Sequence, residues 1–192
     1  MEIKIAIGIP NTGSIKAQTA FCLFRMLKGI PYEYSILFKE GSILHANRET
    51  IAKLAIEKGF THLLFLDSDM YFEANALKQL IERDKDIIGA NYYLRKLPKT
   101  TTVKMAPEKK AHLAEEAPDG LFTCDAVGTG FLLIKTDVFK KLPHPWFFWK
   151  SDEQGDVLEG EDSWFCRQAR EAGFDVWCDL QVVIKHIGDY LY

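Results

Sequence analysis

One stretch limits what this chain can fold into more than any other: His62-Leu-Leu-Phe-Leu-Asp-Ser-Asp-Met70. Leu63, Leu64, Phe65 and Leu66 form an unbroken apolar run, the pattern of a strand covered on both faces, as in the central parallel strands of α/β sheets. The run stops at Asp67 and Asp69. In open α/β sheets the ligand crevice lies beyond the carboxyl ends of the strands, so two acids placed there face a site. Spaced two apart, they project the same way if the backbone stays extended. Two carboxylates in a half-buried crevice repel each other and resist losing water, and a shared cation relieves both penalties. A divalent metal bridging to a phosphate fits such a pair, because Mg²⁺ and Mn²⁺ favour a few carboxylate oxygens together with phosphate oxygens and water. Asp-Ser-Asp read by itself is equally a turn or a helix cap, since a helix is expected soon after Met70.

Composition removes several classes of function. A chain of 192 residues, 47% apolar and 27% charged, supports one well-buried domain and is short for two. A net charge of −3 with no polybasic stripe argues against nucleic acid as a partner. Cys22, Cys124, Cys166 and Cys178 are widely spread with no Cys-x-x-Cys pair, and read as small core residues of a reducing compartment. No apolar stretch approaches the ~20 residues of a membrane helix. The N-terminus enters a strand directly, without a signal-peptide pattern. The expectation is a cytoplasmic protein, at most peripheral to a membrane.

Ile3, Ile5, Ile7 and Ile9 alternate with Lys4, Ala6 and Gly8 in a first strand that ends at Pro10-Asn-Thr-Gly13. Ser14 is positioned to cap a helix in which Ala17, Phe21, Phe24 and Lys28 recur at helical spacing and Gly29 is the stop. Tyr32 to Phe38 predicts the second strand, and Ile43 to Lys58 a helix with Ile51, Leu54 and Ala55 on its inner face. Arg48 sits in the first turns of that helix, where the dipole disfavours a cation, so either solvent or a ligand phosphate must account for it. A helix from Ala74 to Arg83 and a strand from Asp86 to Ala90 complete a β-α-β-α-β-α-β order, the signature of a doubly wound layer. From Asn91 to Gly120 the pattern becomes irregular, with an edge hairpin near Thr101 to Met105; Tyr92, Tyr93 and Arg95 follow a strand end and are candidates equally for ligand contact and for core or surface packing.

Phe122 to Val127 and Phe131 to Lys135 read as strands flanking Gly128-Thr-Gly130, where glycine permits a bend or a close backbone approach. Pro143-His-Pro-Trp-Phe-Phe-Trp149 reads as packing under a loop or as an aromatic platform for a sugar ring. Ser151 to Gly160 is acidic and suited to a mobile loop or lid. It feeds a helix opening on Glu161-Asp162, acids that the helix dipole alone would favour. Val176 to Cys178 and Val182 to Ile184 read as late strands, followed by His186.

The succession of these segments resembles a GT-A fold glycosyltransferase of the family 2-like branch. The resemblance is carried by the Pro10-Asn-Thr loop, His45-Ala-Asn-Arg48, Phe-Leu-Asp-Ser-Asp-Met70, Gly128-Thr-Gly-Phe-Leu-Leu-Ile134, Gly160-Glu-Asp-Ser-Trp-Phe-Cys166 and Val183-Ile-Lys-His186. It implies a mixed, mainly parallel sheet flanked by helices, in one domain over 1–192. Residues 1–90 would form the nucleotide-binding half and 91–192 the acceptor and metal half. By the same resemblance Pro10, Asn11, Thr12, Arg48, Asp67, Ser68 and Gly130 would contact a UDP- or GDP-linked sugar. Asp67, Asp69 and His186 would hold Mn²⁺ or Mg²⁺. Asp162 would be the base of an inverting transfer, with Glu161 assisting or meeting the acceptor; in a retaining transfer no external base is required and Asp162 would position the sugar or acceptor. The acceptor would be the hydroxyl of a carbohydrate, glycolipid or glycoprotein. The chain departs from longer members in lacking an extended C-terminal acceptor region.

The implied chemistry is coherent. Leaving of a nucleoside diphosphate from the anomeric carbon builds negative charge on phosphate and oxocarbenium-like charge on the ring, so a cation serves the first and a carboxylate base the acceptor. Two other readings stay open. A nucleotidyltransferase that makes sugar nucleotides shares such a sheet, although Pro10-Asn-Thr-Gly-Ser-Ile-Lys16 is a poor version of its glycine-rich basic loop. A non-catalytic carbohydrate-binding domain is the third, although it has no evident need for Asp67, Asp69, Glu161 and Asp162 together.

Overall fold

The computed structural model describes residues 2–95, 98–105, 117 and 119–188. Its elements are β1 (Lys4–Asn11), α1 (Ala17–Lys28), β2 (Glu33–Glu40), α2 (Leu44–Glu57), β3 (His62–Leu66), β4 (Met70–Phe72), α3 (Ala76–Glu82), β5 (Ile87–Ala90), β6 (Leu121–Thr123), β7 (Phe131–Lys135), β8 (Lys150–Ser151), β9 (Val157–Glu159), α4 (Glu161–Glu171), β10 (Trp177–Asp179) and β11 (Ile184–His186).

Seven strands form the central sheet in the order β2-β1-β3-β7-β5-β10-β6. β2, β1, β3, β5 and β10 run one way, and β7 and β6 run against them. The expected mixed, mainly parallel sheet flanked by helices is present. β3 differs in detail from a strand with two parallel neighbours: β1 lies parallel on one side and β7 antiparallel on the other. Its apolar run still follows from burial on both faces. Leu63 and Phe65 point into a core shared with α2 and α4, while Leu64 and Leu66 point into one shared with α1 and α3. β1 shows the same division: Ile5, Ile7 and Ile9 face α1, and Ala6 and Gly8 face α2. The small face is required because α2 lies close; a Cβ on Gly8 would come within 2.4 Å of Ile51 Cγ2.

Local readings shift where tertiary partners decide. α1 begins at Ala17 with Lys16 in the cap position, so Ser14 is not the cap. The buried side of α1 is Thr19, Cys22, Leu23 and Met26, which leaves Phe21 and Phe24 outside. Directly after Asp69 the chain forms β4 and not a helix, because β11 supplies an antiparallel partner. The acidic stretch after Ser151 is a hairpin of β8 and β9, its turn held by Asp152 Oδ1, which accepts the Gln154 and Asp156 N–H groups. Between Tyr92 and Thr102 the two backbones pair briefly, but much of the expected Asn91–Gly120 excursion, including 106–116, lies outside the described residues. No helix among the described residues is long and apolar enough to cross a membrane.

Candidate active site

β3 delivers Asp67 and Asp69 to the carboxyl edge of the sheet. The Asp67 N–H donates to Gly130 O at 3.0 Å, extending the β3–β7 ladder by one residue before the chain turns at Ser68. β4 then pairs with β11 so that Met70 faces His186, and the Ile187 N–H donates to Asp69 O at 2.7 Å. This two-stranded ribbon brings together residues more than a hundred positions apart. His186 Nε2 lies 3.3 Å from Asp69 Oδ1, and both side chains are largely buried. His186 Nδ1 faces the Tyr93 carbonyl at 3.2 Å. A carbonyl only accepts, so Nδ1 is the donor in that contact, and it fixes the ring with Nε2 turned toward Asp69. Burial pushes the Asp69 carboxyl up, but the His186 hydrogen bond and charge, with Arg95 Nη1 at 2.9 Å from the other carboxylate oxygen, outweigh it and hold the group below its ordinary value.

An open cavity of about 550 Å³ sits beside this pair. It gathers Pro10, Asn11 and Thr12 from the end of β1, Asn47 from α2, Asp67, Ser68 and Asp69 from the end of β3, and Arg95 and His186. The volume suits a nucleotide-sized ligand. A cavity of similar size, about 560 Å³, lies at the opposite end of the sheet around His62 and Lys135. There Lys135 is taken up by Asp84 and Asp86, and the parallel strands β1 and β3 present their amino ends, so the cavity at their carboxyl edge is the candidate site.

Arg48 occupies a different place from the one expected of a phosphate ligand. Its side chain is only 1% exposed and does not line the cavity. Nη2 donates to Asp67 Oδ1 at 2.7 Å, Nε lies 3.7 Å from Glu161 Oε1, and the guanidinium stacks 5.3 Å from the Phe65 ring centre. The physical reason is that α2 packs this side of its first turn onto the sheet, where a buried cation is tolerable only between carboxylates. Asp67 is correspondingly turned toward Arg48. The three-residue metal set Asp67, Asp69 and His186 is therefore not gathered: no group of three or more His, Cys, Asp or Glu side chains converges among the described residues. Asp69 and His186 remain as a pair. A carboxylate oxygen and an imidazole nitrogen, adjacent and facing a cavity large enough for phosphates, fit a divalent ion whose other positions are filled by phosphate and water.

Glu161 and Asp162 open α4 on the far side of Arg48. Glu161 is buried and accepts the Trp149 Nε1–H as well as the Arg48 charge. Asp162 Oδ1 accepts the Ser163 N–H at 2.8 Å, and burial, then the Glu161 charge, push its carboxyl above the ordinary value. Lys104 Nζ donates to the neighbouring Ser163 Oγ at 2.6 Å. Neither acid lines the cavity around Asp69.

Gly128 and Gly130 have their close approach, but to the protein itself. The Gly130 N–H donates to the Tyr92 hydroxyl at 2.9 Å, and a Cβ on Gly130 would stand 2.5 Å from that oxygen and 3.0 Å from Asp67 Oδ2. Gly130 is thus buried behind the acids and does not line the cavity. Tyr92 is buried at this junction with the His186 ring edge-on at 5.4 Å, so it packs behind the site and does not line the cavity. The aromatic segment divides: Trp146 and Phe147 enter the core, pinned by Glu49 Oε2 accepting both backbone N–H groups, while Phe148 and Trp149 stay largely exposed beside His45. Lys104 escaped sequence reading, because nothing local ties it to Ser163, 59 positions away.

No family model and no curated protein matches the chain. Solved structures do. A197 from STIV is 20% identical, with a TM-score of 0.65 over 97% of this chain and 87% of that one. GalNAc-T7, determined with UDP, GalNAc and Mn²⁺, is 12% identical with a TM-score of 0.58 over 98% of this chain; the match spans 44% of the GalNAc-T7 chain. The inositol-1-phosphate CTP transferase from T. maritima is 11% identical with a TM-score of 0.51, over 97% of this chain and 90% of that one. The chain has the GT-A fold. In this GT-A sheet the acids of β3 stand at the carboxyl edge, where the topology places a ligand crevice.

Proposed function

We propose that this chain is a metal-dependent glycosyltransferase of the family 2-like kind, moving a sugar from a nucleoside-diphosphate sugar to an acceptor hydroxyl with inversion. The observation that carries the reading is the meeting of Asp69 and His186, 3.3 Å apart, at the rim of a cavity that also receives Pro10, Asn11 and Thr12. Asp69 and His186 would hold Mn²⁺ or Mg²⁺, which when bound supplies positive charge to the departing diphosphate. Asn11 and Thr12 offer polar groups to base and ribose, and Ser68 and Asp67 flank the diphosphate. The resting Asp69–Arg95 contact is the arrangement a cation would replace, freeing Arg95 to donate to phosphate oxygens.

Asp162 takes the acceptor proton. Its raised pKa makes it a better base than an ordinary aspartate, a contribution of about 10²- to 10⁴-fold in rate. Arg48 neutralises Asp67 and Glu161, the inner member of each acid pair, and so keeps the flanking Asp69 and Asp162 in position. The exposed Trp149, hydrogen-bonded to Glu161, offers a flat apolar surface for a sugar ring on that side.

A thermal-shift series with nucleoside diphosphates and their sugars, with and without Mn²⁺, tests the reading. A rise in melting temperature that needs both nucleotide and metal is expected. Equal stabilisation after chelation would remove the metal role. Release of pyrophosphate from a nucleoside triphosphate and a sugar phosphate would move the assignment to a nucleotidyltransferase.

A further inference from the structure

β2 borders the central sheet, and no described residue pairs with its outer side. The strand is eight residues long, Glu33-Tyr-Ser-Ile-Leu-Phe-Lys-Glu40, and stays in unbroken register with β1 throughout. Sheets normally blunt such a border with a short strand, a bulge, a proline or inward charges. Here the charges stand only at the two ends. The Gly41 N–H donates inward to Asn11 O, so the odd-numbered residues of β2 turn their backbone groups toward β1, and Tyr34, Ile36 and Phe38 turn theirs outward. Unpaired donors and acceptors in a row form a template for another strand.

The side chains agree with the backbone. Tyr34, Ile36 and Phe38 are in register with Ile5, Ile7 and Ile9, and so lie on the α1 face of the sheet. α1 covers this face only in part: Ile36 packs against the core, while Tyr34 and Phe38 are 41% and 59% exposed. On α1 itself Phe21 and Phe24 are 61% and 58% exposed. Four aromatic rings stand outside the core on one layer of the molecule, where exposed apolar patches mark interaction sites.

We propose that β2 pairs antiparallel with β2 of a second copy of this chain, centred on Ile36, so that the two sheets become one. In that register the strand is complementary to itself. Tyr34 faces the partner's Phe38, an aromatic pair, and Glu33 faces the partner's Lys39, an opposite-charge pair, each repeated by the two-fold axis. Ile36 meets its own copy. A register centred between Ile36 and Leu37 sets Glu33 against the partner's Glu40 and Ser35 against the partner's Phe38, losing both complementary pairs. Because the strand period is two, that slip also turns the aromatic side chains toward the wrong face. None of these residues lines the cavity around Asp69, so the association stands or falls apart from the catalytic reading.

Sedimentation equilibrium of the full chain at tens of micromolar decides it. The expected mass is twice 21.9 kDa. Glu33→Lys and Lys39→Glu should each weaken the dimer by about tenfold or more by setting like charges opposite, and the double variant should restore it. As all four native cysteines are buried, a Tyr34→Cys/Phe38→Cys variant carries its only accessible described thiols on β2, and should form a disulfide-linked dimer on mild oxidation. Circular dichroism confirms that each variant is folded. A monomer at every concentration overturns the proposal. So does a dimer indifferent to both single reversals, which would place the contact on another surface.

Discussion

Two pairs of adjacent acids serve this molecule, and they are built in opposite ways. Asp67 and Asp69 leave the end of a strand; Glu161 and Asp162 open a helix. In each pair one member turns inward to Arg48, Asp67 at 2.7 Å and Glu161 at 3.7 Å. The other member is left for different work. Asp69 is surrounded by His186 and Arg95 and held in its ionised form, which suits the cation ligand we propose. Asp162 is buried beside a like charge and pushed toward protonation, which suits the base we propose. One buried guanidinium thus shields half of each pair, and the environments of the remaining halves pull their proton affinities apart.

The largest effect expected from breaking this comparison is on turnover. Asp162→Asn should lower the transfer rate by about 10²- to 10⁴-fold while nucleotide binding measured by calorimetry stays unchanged. Arg48→Met should come next, removing about 3 kcal/mol of stability in urea denaturation because the buried Glu161 and the half-buried Asp67 lose their common partner. Arg48→Lys should lose less, since it keeps the charge and not the fork. Asp69→Asn or His186→Ala should weaken Mn²⁺-dependent nucleotide binding by about 10²-fold or more, judged against the 10- to 100-fold effects of outer-shell changes alone. The same variants should also lower metal-free stability at neutral pH somewhat, because a carboxyl held below its ordinary value favours the native state above the unfolded pKa.

The two smallest effects concern pH. Transfer should rise with pH through an apparent pKa above the ordinary aspartate value of 3.8, following ionisation of Asp162. Because the folded-state pKa of Asp162 is raised, its ionised form costs stability: the native state is favoured below the unfolded pKa, and that advantage is lost as pH rises through the folded one. Asp162→Asn should therefore melt slightly higher than wild type at neutral pH. The difference should close in acid. A variant no more stable at pH 7, or a gap that widens on acidification, would show that Asp162 sits in water like any surface acid.

Much of the fold was legible in the chain. The apolar run of β3, the alternation in β1 and the glycine stops after α1, α2 and α4 are local consequences of burial, side-chain size and backbone freedom. The acids at the end of β3 and the start of α4 were legible for the same reason, since an abrupt change from apolar to charged residues marks the edge of a core. Arg48 was misread because a charged residue in a helix carries no sign of which face will be packed. Phe21 and Phe24 were misleading in the opposite sense: their spacing is helical, but Cys22, Leu23 and Met26 fill the core and leave the rings outside.

The sequence by itself determined the layers, the carboxyl-edge position of Asp67 and Asp69, and the acidic opening of α4, because these depend on neighbours within a few residues. Only the tertiary structure decided that His186 meets Asp69, that Arg48 stands between Asp67 and Glu161, and that no described residue pairs with the outer side of β2. The first and last depend on which strands pair and the second on how α2 and α4 pack, and both are long-range choices that no local pattern encodes.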